Sequence, residues 1–323
     1  MSKKMALGFI VTVMVMVSAC SGSDPENDFK VEPLDGGKSV VITEYVGTKW
    51  EVRIPPKIRK LPVASIGQDV FLNKSIISVI IPDSVTAIGQ NAFANNQLTS
   101  VIIPNSVTTI GQSAFANNKL TSVVIPNSVI EIGESAFGNN QLTAVIIPDS
   151  VSFLSGFDGN QLTGVTIPNS VTSIGNHAFA NNQLVNITIS NSVTYIGDYA
   201  FAFNRLIGVT IPDSVTYIGQ NAFRNNQLRN LDLPNNSTSI GEDAFTNNQL
   251  TSVIIPNSVI FIGRGAFIDN QLTRVTIGEL SPSSLHRDTF DNYYDFTNAY
   301  NLAGRTAGTY TRPDSNSRIW AKQ

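Results

Sequence analysis

The 323-residue chain carries 21 Lys and Arg against 24 Asp and Glu, with one Cys, two His and only 14% charged residues. A net charge of −3 with scattered cations excludes a nucleic-acid binder built on a basic patch; one Cys and two His exclude a disulfide framework and a Cys/His zinc site. Asparagine makes up about a tenth of the sequence, so neutral amides stand in for much of the usual surface charge.

The chain opens with the positive stretch Met1–Lys4, then an uncharged run from Met5 to Val17, then Val17-Ser18-Ala19-Cys20. That run, as a helix, reaches about 20 Å, short of the ~30 Å hydrocarbon core of a bilayer, so residues 1–20 read as a secretory signal and not as a membrane span. Val17-Ser18-Ala19-Cys20 resembles the bacterial lipobox. The resemblance implies that Cys20 becomes the acylated N-terminus and holds the exported protein on a membrane without a spanning helix. An Asp after that Cys would imply retention on the inner membrane; Ser21 implies transport to the outer membrane. Residues 21–37 are polar and are expected to form a linker. Residues 38–65 are expected to form an N-terminal cap, with Ser39–Ile54 as a hairpin turning at Val46-Gly47-Thr48-Lys49.

From 66 to 277 the sequence repeats. An Ile-Gly pair recurs at Ile66, Ile88, Ile110 and Ile132, and again at Ile174, Ile196, Ile218, Ile240 and Ile262. The step is 22 residues except where Leu154 replaces Ile and the unit is two residues shorter. A phenylalanine column runs from Phe71 to Phe267, and a leucine column from Leu98 to Leu272 with Ile76 at its head. Ten copies at this period predict a solenoid with one parallel sheet face, capped at both ends by short hairpins. In Leu98-Thr99-Ser100-Val101-Ile102-Ile103-Pro104, strand alternation turns Leu98, Val101 and Ile103 inward and Ser100 and Ile102 outward. Pro104 ends the ladder, Asn105-Ser106 makes a turn, and Val107 and Ile110 return to the core on the opposite wall. Gly111 is expected to take a positive φ. Asn118, repeated two residues before the Leu in nine units, is expected to bond backbone at a buried corner. One unit buries too little apolar surface to offset the entropy of ordering its residues, so the coils must stack. Residues 278–323 are expected to cap the last coil, with strands at Ala307–Thr311 and Arg318–Ala321 around Asp314-Ser315-Asn316.

The unit Leu-x-x-Val-x-Ile-Pro-x-Ser-Val-x-x-Ile-Gly-x-x-Ala-Phe-x-x-Asn-Gln resembles the treponemal, BspA-like class of leucine-rich repeat. The resemblance spans Ile66 to Ile277, and Ala307-Gly308-Thr309-Tyr310-Thr311 with Trp320 is similar to the tail of such proteins. It implies a surface lipoprotein with a role in adhesion to extracellular-matrix proteins such as fibronectin and fibrinogen, or in contact between bacteria. Ser190 and Gly278 depart from the pattern where Pro is expected, and the short unit near Ser155-Gly156 should bend or pinch the solenoid.

No catalytic constellation is visible. His177 falls in a convex turn and His286 in the C-terminal cap, with no recurring Ser or carboxylate beside either. Asp83, Asp149 and Asp213 interrupt a column of Asn and read as turn caps, because each coil offers too few oxygens for a calcium ladder. No cofactor is expected. The outward strand column is Ile80, Ile102, Val124, Ile146, Thr166, Thr188, Thr210, Asp232, Ile254 and Thr276, flanked by small residues such as Ser100, Ala144 and Gly164. The whole column is the expected protein-binding surface, and the aliphatic strip in its first four coils is the feature that points to it. Phe153, Tyr195, Tyr217 and Phe261 form a further exposed column on the other wall. Three functions follow: an adhesin binding through the strand face, a non-adhesive envelope scaffold, and a carbohydrate-binding solenoid. Self-association is compatible with each.

Overall fold

A computed structural model of the chain describes residues 22–280, 284–286, 288–290 and 295–323. The signal segment and Cys20 lie outside the described residues. The fold is a right-through stack of about eleven coils of ~22 residues, with each column of the sequence forming one wall or corner. In the coil that contains Leu98, the side chains of Leu98, Val101, Ile103, Val107, Ile110, Ala114 and Phe115 are all buried, as alternation requires.

Three devices bind coil to coil. The first is the phenylalanine stack. From Phe71 to Phe93 the ring centroids lie 4.8 Å apart with planes 5° from parallel. The stack continues without a gap to Phe267 and Phe290, 5.3 Å apart. The second is the asparagine corner. Asn118 Nδ2 donates to the carbonyls of Phe93, Phe115 and Ala116 at 2.9, 3.1 and 3.2 Å, while Leu98 N donates to its Oδ1 at 3.0 Å. Its counterparts at Asn96, Asn140, Asn160, Asn182, Asn204, Asn226, Asn248 and Asn270 bond in the same way. A buried carboxamide offers two donor hydrogens and one good acceptor, which suits a corner where carbonyls outnumber N–H groups. The third is the wall of Ile-Gly pairs, where each Gly N–H donates to the Ile carbonyl one coil back, as in Gly89 to Ile66 and Gly111 to Ile88.

The glycine of each pair is there for closeness, and the expected positive φ falls elsewhere. A Cβ on Gly111 would sit 2.7 Å from Gln90 N and Gly89 C of the preceding coil. Positive φ is taken instead by Ser113 and Asn117, at 53° and 55°. Asn is among the few residues that tolerate this region, which accounts for the first Asn of each Asn-Asn pair.

The long ladders also lie on the wall of Ile-Gly pairs, not on the strand face. One sheet there runs from the Phe29–Leu34 strand to Glu131–Ile132, and a second from Phe153–Leu154 to Phe261–Ile262. The break falls at the short unit. There Leu154 is three residues from Phe157 where Ile132 is five from Phe137, so the wall loses register while the ring stack passes through at 5.5 Å. On the strand face a proline closes each strand, removing a donor and leaving short paired segments.

The N-terminal cap differs from expectation. The hairpin is Phe29–Leu34 against Ser39–Tyr45, antiparallel, turning at Asp35-Gly36-Gly37, all three with positive φ. Val46–Lys49 is a coil corner, and Glu51–Arg53 pairs in parallel with Ser78–Ile80. Ile42 pairs with Ile66, and Tyr45 packs on Phe71 at 5.1 Å. Residues 40–54 therefore make an extra coil that lacks the repeat sequence. Nor is 24–34 a free linker: Phe29 is buried, and buried Asp24 accepts hydrogen bonds from Arg53 N and Lys49 Nζ.

At the other end Gly308–Thr311 pairs antiparallel with Arg274–Ile277, and Ala321–Lys322 with Gly308–Thr311. Asn316 N and Ser317 N both donate to Asp314 Oδ1, forming the expected turn. The helix Asp295–Leu302 was not foreseen; its Phe296 meets Trp320 edge-on at 5.2 Å.

Replacing Asn182 with Ala leaves the carbonyls of Phe157, Phe179 and Ala180 and the Leu162 N–H without this partner. The expected loss is about 3 kcal/mol in urea unfolding. Asn181→Gly, next to it at φ 56°, should change stability by less than about 1 kcal/mol. Equal losses at the two positions would contradict the corner's role.

Candidate functional site

The strand face carries the predicted column outward. Ile80, Ile102, Val124, Ile146 and Ile254 are 39, 59, 61, 82 and 66% exposed. Thr166, Thr188, Thr210 and Asp232 are exposed as well. Thr276 is not: the C-terminal cap covers it, and its hydroxyl bonds that of Thr309 at 2.9 Å. Two apolar residues outside the column enlarge its first part. Trp50 and Ile77 are exposed beside it and joined by a hydrogen bond from Ile77 N to Trp50 O. Trp50 lies two residues before Val52 as Ile77 lies two before Val79, a spacing hidden by the lack of repeat sequence before Ile66.

Interruption of the ladder gives this face relief. Gly164–Thr166 pairs with Asn186–Thr188, and Gly208–Thr210 with Asn230–Asp232, while Ile102 and Val124 form an isolated bridge. Open hollows run across these segments and the unpaired coils beside them. One of about 460 Å³ spans Ile146, Gly164, Thr166 and Thr188. Another of about 490 Å³ spans Thr188, Gly208, Thr210 and Asp232. A third of about 320 Å³ is lined by Ile102, Ile103, Val124 and Asp83. Gly164 and Gly208, which carry no side chain, leave space in the two hollows that they line.

The other candidate residues are placed as follows. His177 stacks on Tyr199 at 4.8 Å in a convex corner, and His286 Nδ1 lies 3.8 Å from Asp288. Asp213 Oδ1 accepts the N–H of Asn235 in the next coil, the turn-capping role expected of that column. Phe153 and Phe261 are 51 and 46% exposed on the wall of Ile-Gly pairs. Tyr195 and Tyr217 stack there at 4.9 Å with planes 2° apart. Partial burial, with a smaller contribution from the Asp198 carboxylate, raises the pKa of both phenols above the ordinary value of 10.0.

A family model described as the BspA type leucine rich repeat region (6 copies) matches residues 57–156 and 154–274. Among solved structures, the chain is similar to the pneumococcal vaccine antigen PcpA, at 18% identity over 81% of this chain and 88% of that one, with a TM-score of 0.54. It is similar to a leucine-rich repeat protein from Bacteroides ovatus, at 22% identity over 79% and 88% of the two chains, with a TM-score of 0.51. A leucine rich cell surface protein from Faecalibacterium prausnitzii matches at 25% identity over 81% and 90%, with a TM-score of 0.45. No curated protein matches this sequence.

The raised phenols give a pH test. In the unfolded chain these tyrosines ionise first, so the stability they contribute is whole below pH ~10 and is lost as pH rises through their folded values. Ultraviolet titration of the native protein should show late-ionising phenols, two fewer in Tyr195→Phe, Tyr217→Phe, where among the described residues only Tyr45 and Tyr310 remain raised. That variant should also lose less stability than the parent between about pH 8 and pH 11. Ordinary titration of both phenols would contradict the assigned environment.

Proposed function

The chain belongs to the BspA-type leucine-rich repeat family, and on that premise we propose that it is a lipid-anchored bacterial surface protein that binds a protein partner through its strand face. The observation that carries the reading is the exposed aliphatic row Ile80, Ile102, Val124 and Ile146, extended by Trp50 and Ile77. Contiguous apolar side chains in water mark an interaction site when they are rimmed by polar ones, as these are by Ser78, Ser100 and Thr166. A repeat scaffold presents such a row over several coils on a stiff support. Asp83 and Asp232 are the charged residues lining the hollows, so binding here should depend little on salt.

Cys20 supplies the anchor in this reading, through the resemblance of Val17-Ser18-Ala19-Cys20 to a lipobox. Residues 21–23 alone separate it from buried Asp24, so the anchored protein rests with its first coil towards an outer membrane and its strand face open to the surroundings. Fibronectin and fibrinogen enter as candidate partners through the family resemblance.

Surface plasmon resonance on immobilised fibronectin and fibrinogen tests the binding. Ile102→Glu, Ile146→Glu should weaken it at least about tenfold, a change of ~1.4 kcal/mol, while Gln112→Glu on the opposite corner leaves it unchanged. Equal loss in the two variants would contradict the assignment to this face. No binding by the folded parent would favour an envelope scaffold. For the anchor, Cys20→Ser should move the protein from the membrane to the soluble fraction, and protease added to intact cells should cleave the parent. A parent protected on intact cells would contradict surface exposure.

A further inference from the structure

We propose that the hairpin tip Lys57-Ile58-Arg59-Lys60 is a membrane-contact site that lays the first coil on the headgroups of an anionic phospholipid surface. The inference rests on the anchor proposed at Cys20 and adds what the polypeptide itself does at the bilayer.

The tip is an insertion. In an ordinary coil two residues separate Pro82 from Val85, whose N–H donates to the Pro82 carbonyl at 3.0 Å. Val63 N donates to Pro56 O at the same 3.0 Å, but residues 57–62 lie between them. The added residues form an antiparallel pair in which Lys57 faces Pro62 and Ile58 faces Leu61. Ile58 is buried and Leu61 packs on the core, so the body of the protein holds the hairpin in place.

Its two-residue turn is Arg59-Lys60, with φ of 53° and 66°. A turn with both φ positive suits Asn-Gly, and long side chains are uncommon there. The other hairpin of the same cap turns with Asp35-Gly36-Gly37. A costly backbone conformation kept at an exposed turn points to a use for its side chains.

The charges indicate that use. Arg53, Lys57, Arg59 and Lys60 fall close together, with no Asp or Glu between Glu51 and Asp69. By contrast, Lys119 is the only Lys or Arg from 75 to 204. Lys57, Arg59 and Lys60 are exposed, and among the described residues none of them has an ion-pair partner. Glu26 and Glu32 line a hollow of about 450 Å³ together with Lys30 and Arg59. Lys57 and Lys60 line no part of it and are left to the surroundings.

Position selects the anion. Glu26 Oε2 accepts the Arg59 N–H at 2.8 Å, which ties the hairpin to the segment leading from Cys20. The four residue steps from Cys20 to buried Asp24 span at most about 14 Å, and Glu26 follows two residues later. Near an anionic bilayer each Lys or Arg strengthens association about fivefold. An acidic protein partner would have to enter between this end of the solenoid and the membrane.

The acylated protein is placed in vesicles of phosphatidylcholine alone, or of phosphatidylcholine and phosphatidylglycerol in equal parts. Lysines are acetylated with a neutral reagent and read by mass spectrometry. On the anionic vesicles Lys57 and Lys60 should react at least about fivefold more slowly than on the neutral ones, with Lys119 unchanged. Salt at about 1 M, where the Debye length falls to ~3 Å, should remove the difference. Arg59→Asn, Lys60→Gly gives the turn its preferred residues, so its melting temperature should not fall, while Lys57 loses its protection. Equal rates on the two kinds of vesicle overturn the proposal and leave the anchor standing. Protein recovered apart from both kinds contradicts the anchor and this inference with it. Protection by added polyglutamate and not by vesicles assigns the tip to an acidic protein partner and also overturns the proposal.

Discussion

One buried carboxamide per coil is the constraint on which the rest of the molecule depends. The turn after each phenylalanine leaves carbonyls from two successive coils pointing into an apolar interior, where an unpaired polar group is costly. Asn118 satisfies three of them and accepts an N–H from the coil before it, and the same geometry recurs from Asn96 to Asn270. Only the first repeat has another residue, Lys74, at this position, and there Asn96 of the following coil receives the N–H groups of Lys74 and Ile76. A coil that cannot complete its own hydrogen bonds cannot exist alone, so the chain folds as a stack or not at all. The phenylalanine rings and the close-packed glycines then fix the spacing of that stack.

Because the asparagine corner and the wall of Ile-Gly pairs hold the coils together, the strand face is released from that duty. Its ladder is short and interrupted, and its outward residues change from isoleucine to threonine to aspartate without disturbing Val101, Val165 or Leu231 beneath them. Cohesion and recognition thus occupy different walls. The same logic explains the tolerance of the short unit. Phe157 remains in the ring stack and Asn160 in the amide ladder, so the loss of two residues costs wall register and not continuity.

Much of this was legible in the sequence because a repeat exposes its own constraints. The solenoid, the inward and outward strand residues and the bonding role of Asn118 follow from periodicity and from the chemistry of a recurring amide. What failed to show depends on contacts between coils. Gly111 resembles a turn glycine in one dimension, and only stacking reveals that a Cβ would strike Gln90. The N-terminal hairpin did leave a signal in Asp35-Gly36-Gly37, which competed with the less suitable Val46-Gly47-Thr48-Lys49. Trp50 and Ile77 were missed as site residues because the extra coil shares the geometry of a repeat without its sequence. Thr276 obeys the column pattern and is covered only because the cap strand Gly308–Thr311 pairs beside it.

The most direct test of the separation between cohesion and recognition is native-state hydrogen exchange resolved to single amides. The account predicts slow exchange at Leu98, Leu120 and Leu142, whose N–H groups are held by asparagine, and at Gly89, Gly111 and Gly133 on the wall of Ile-Gly pairs. It predicts faster exchange at Ile102, Val124 and Ile146. Strand-face amides as slow as the asparagine-bonded ones would place cohesion on the binding face and contradict it.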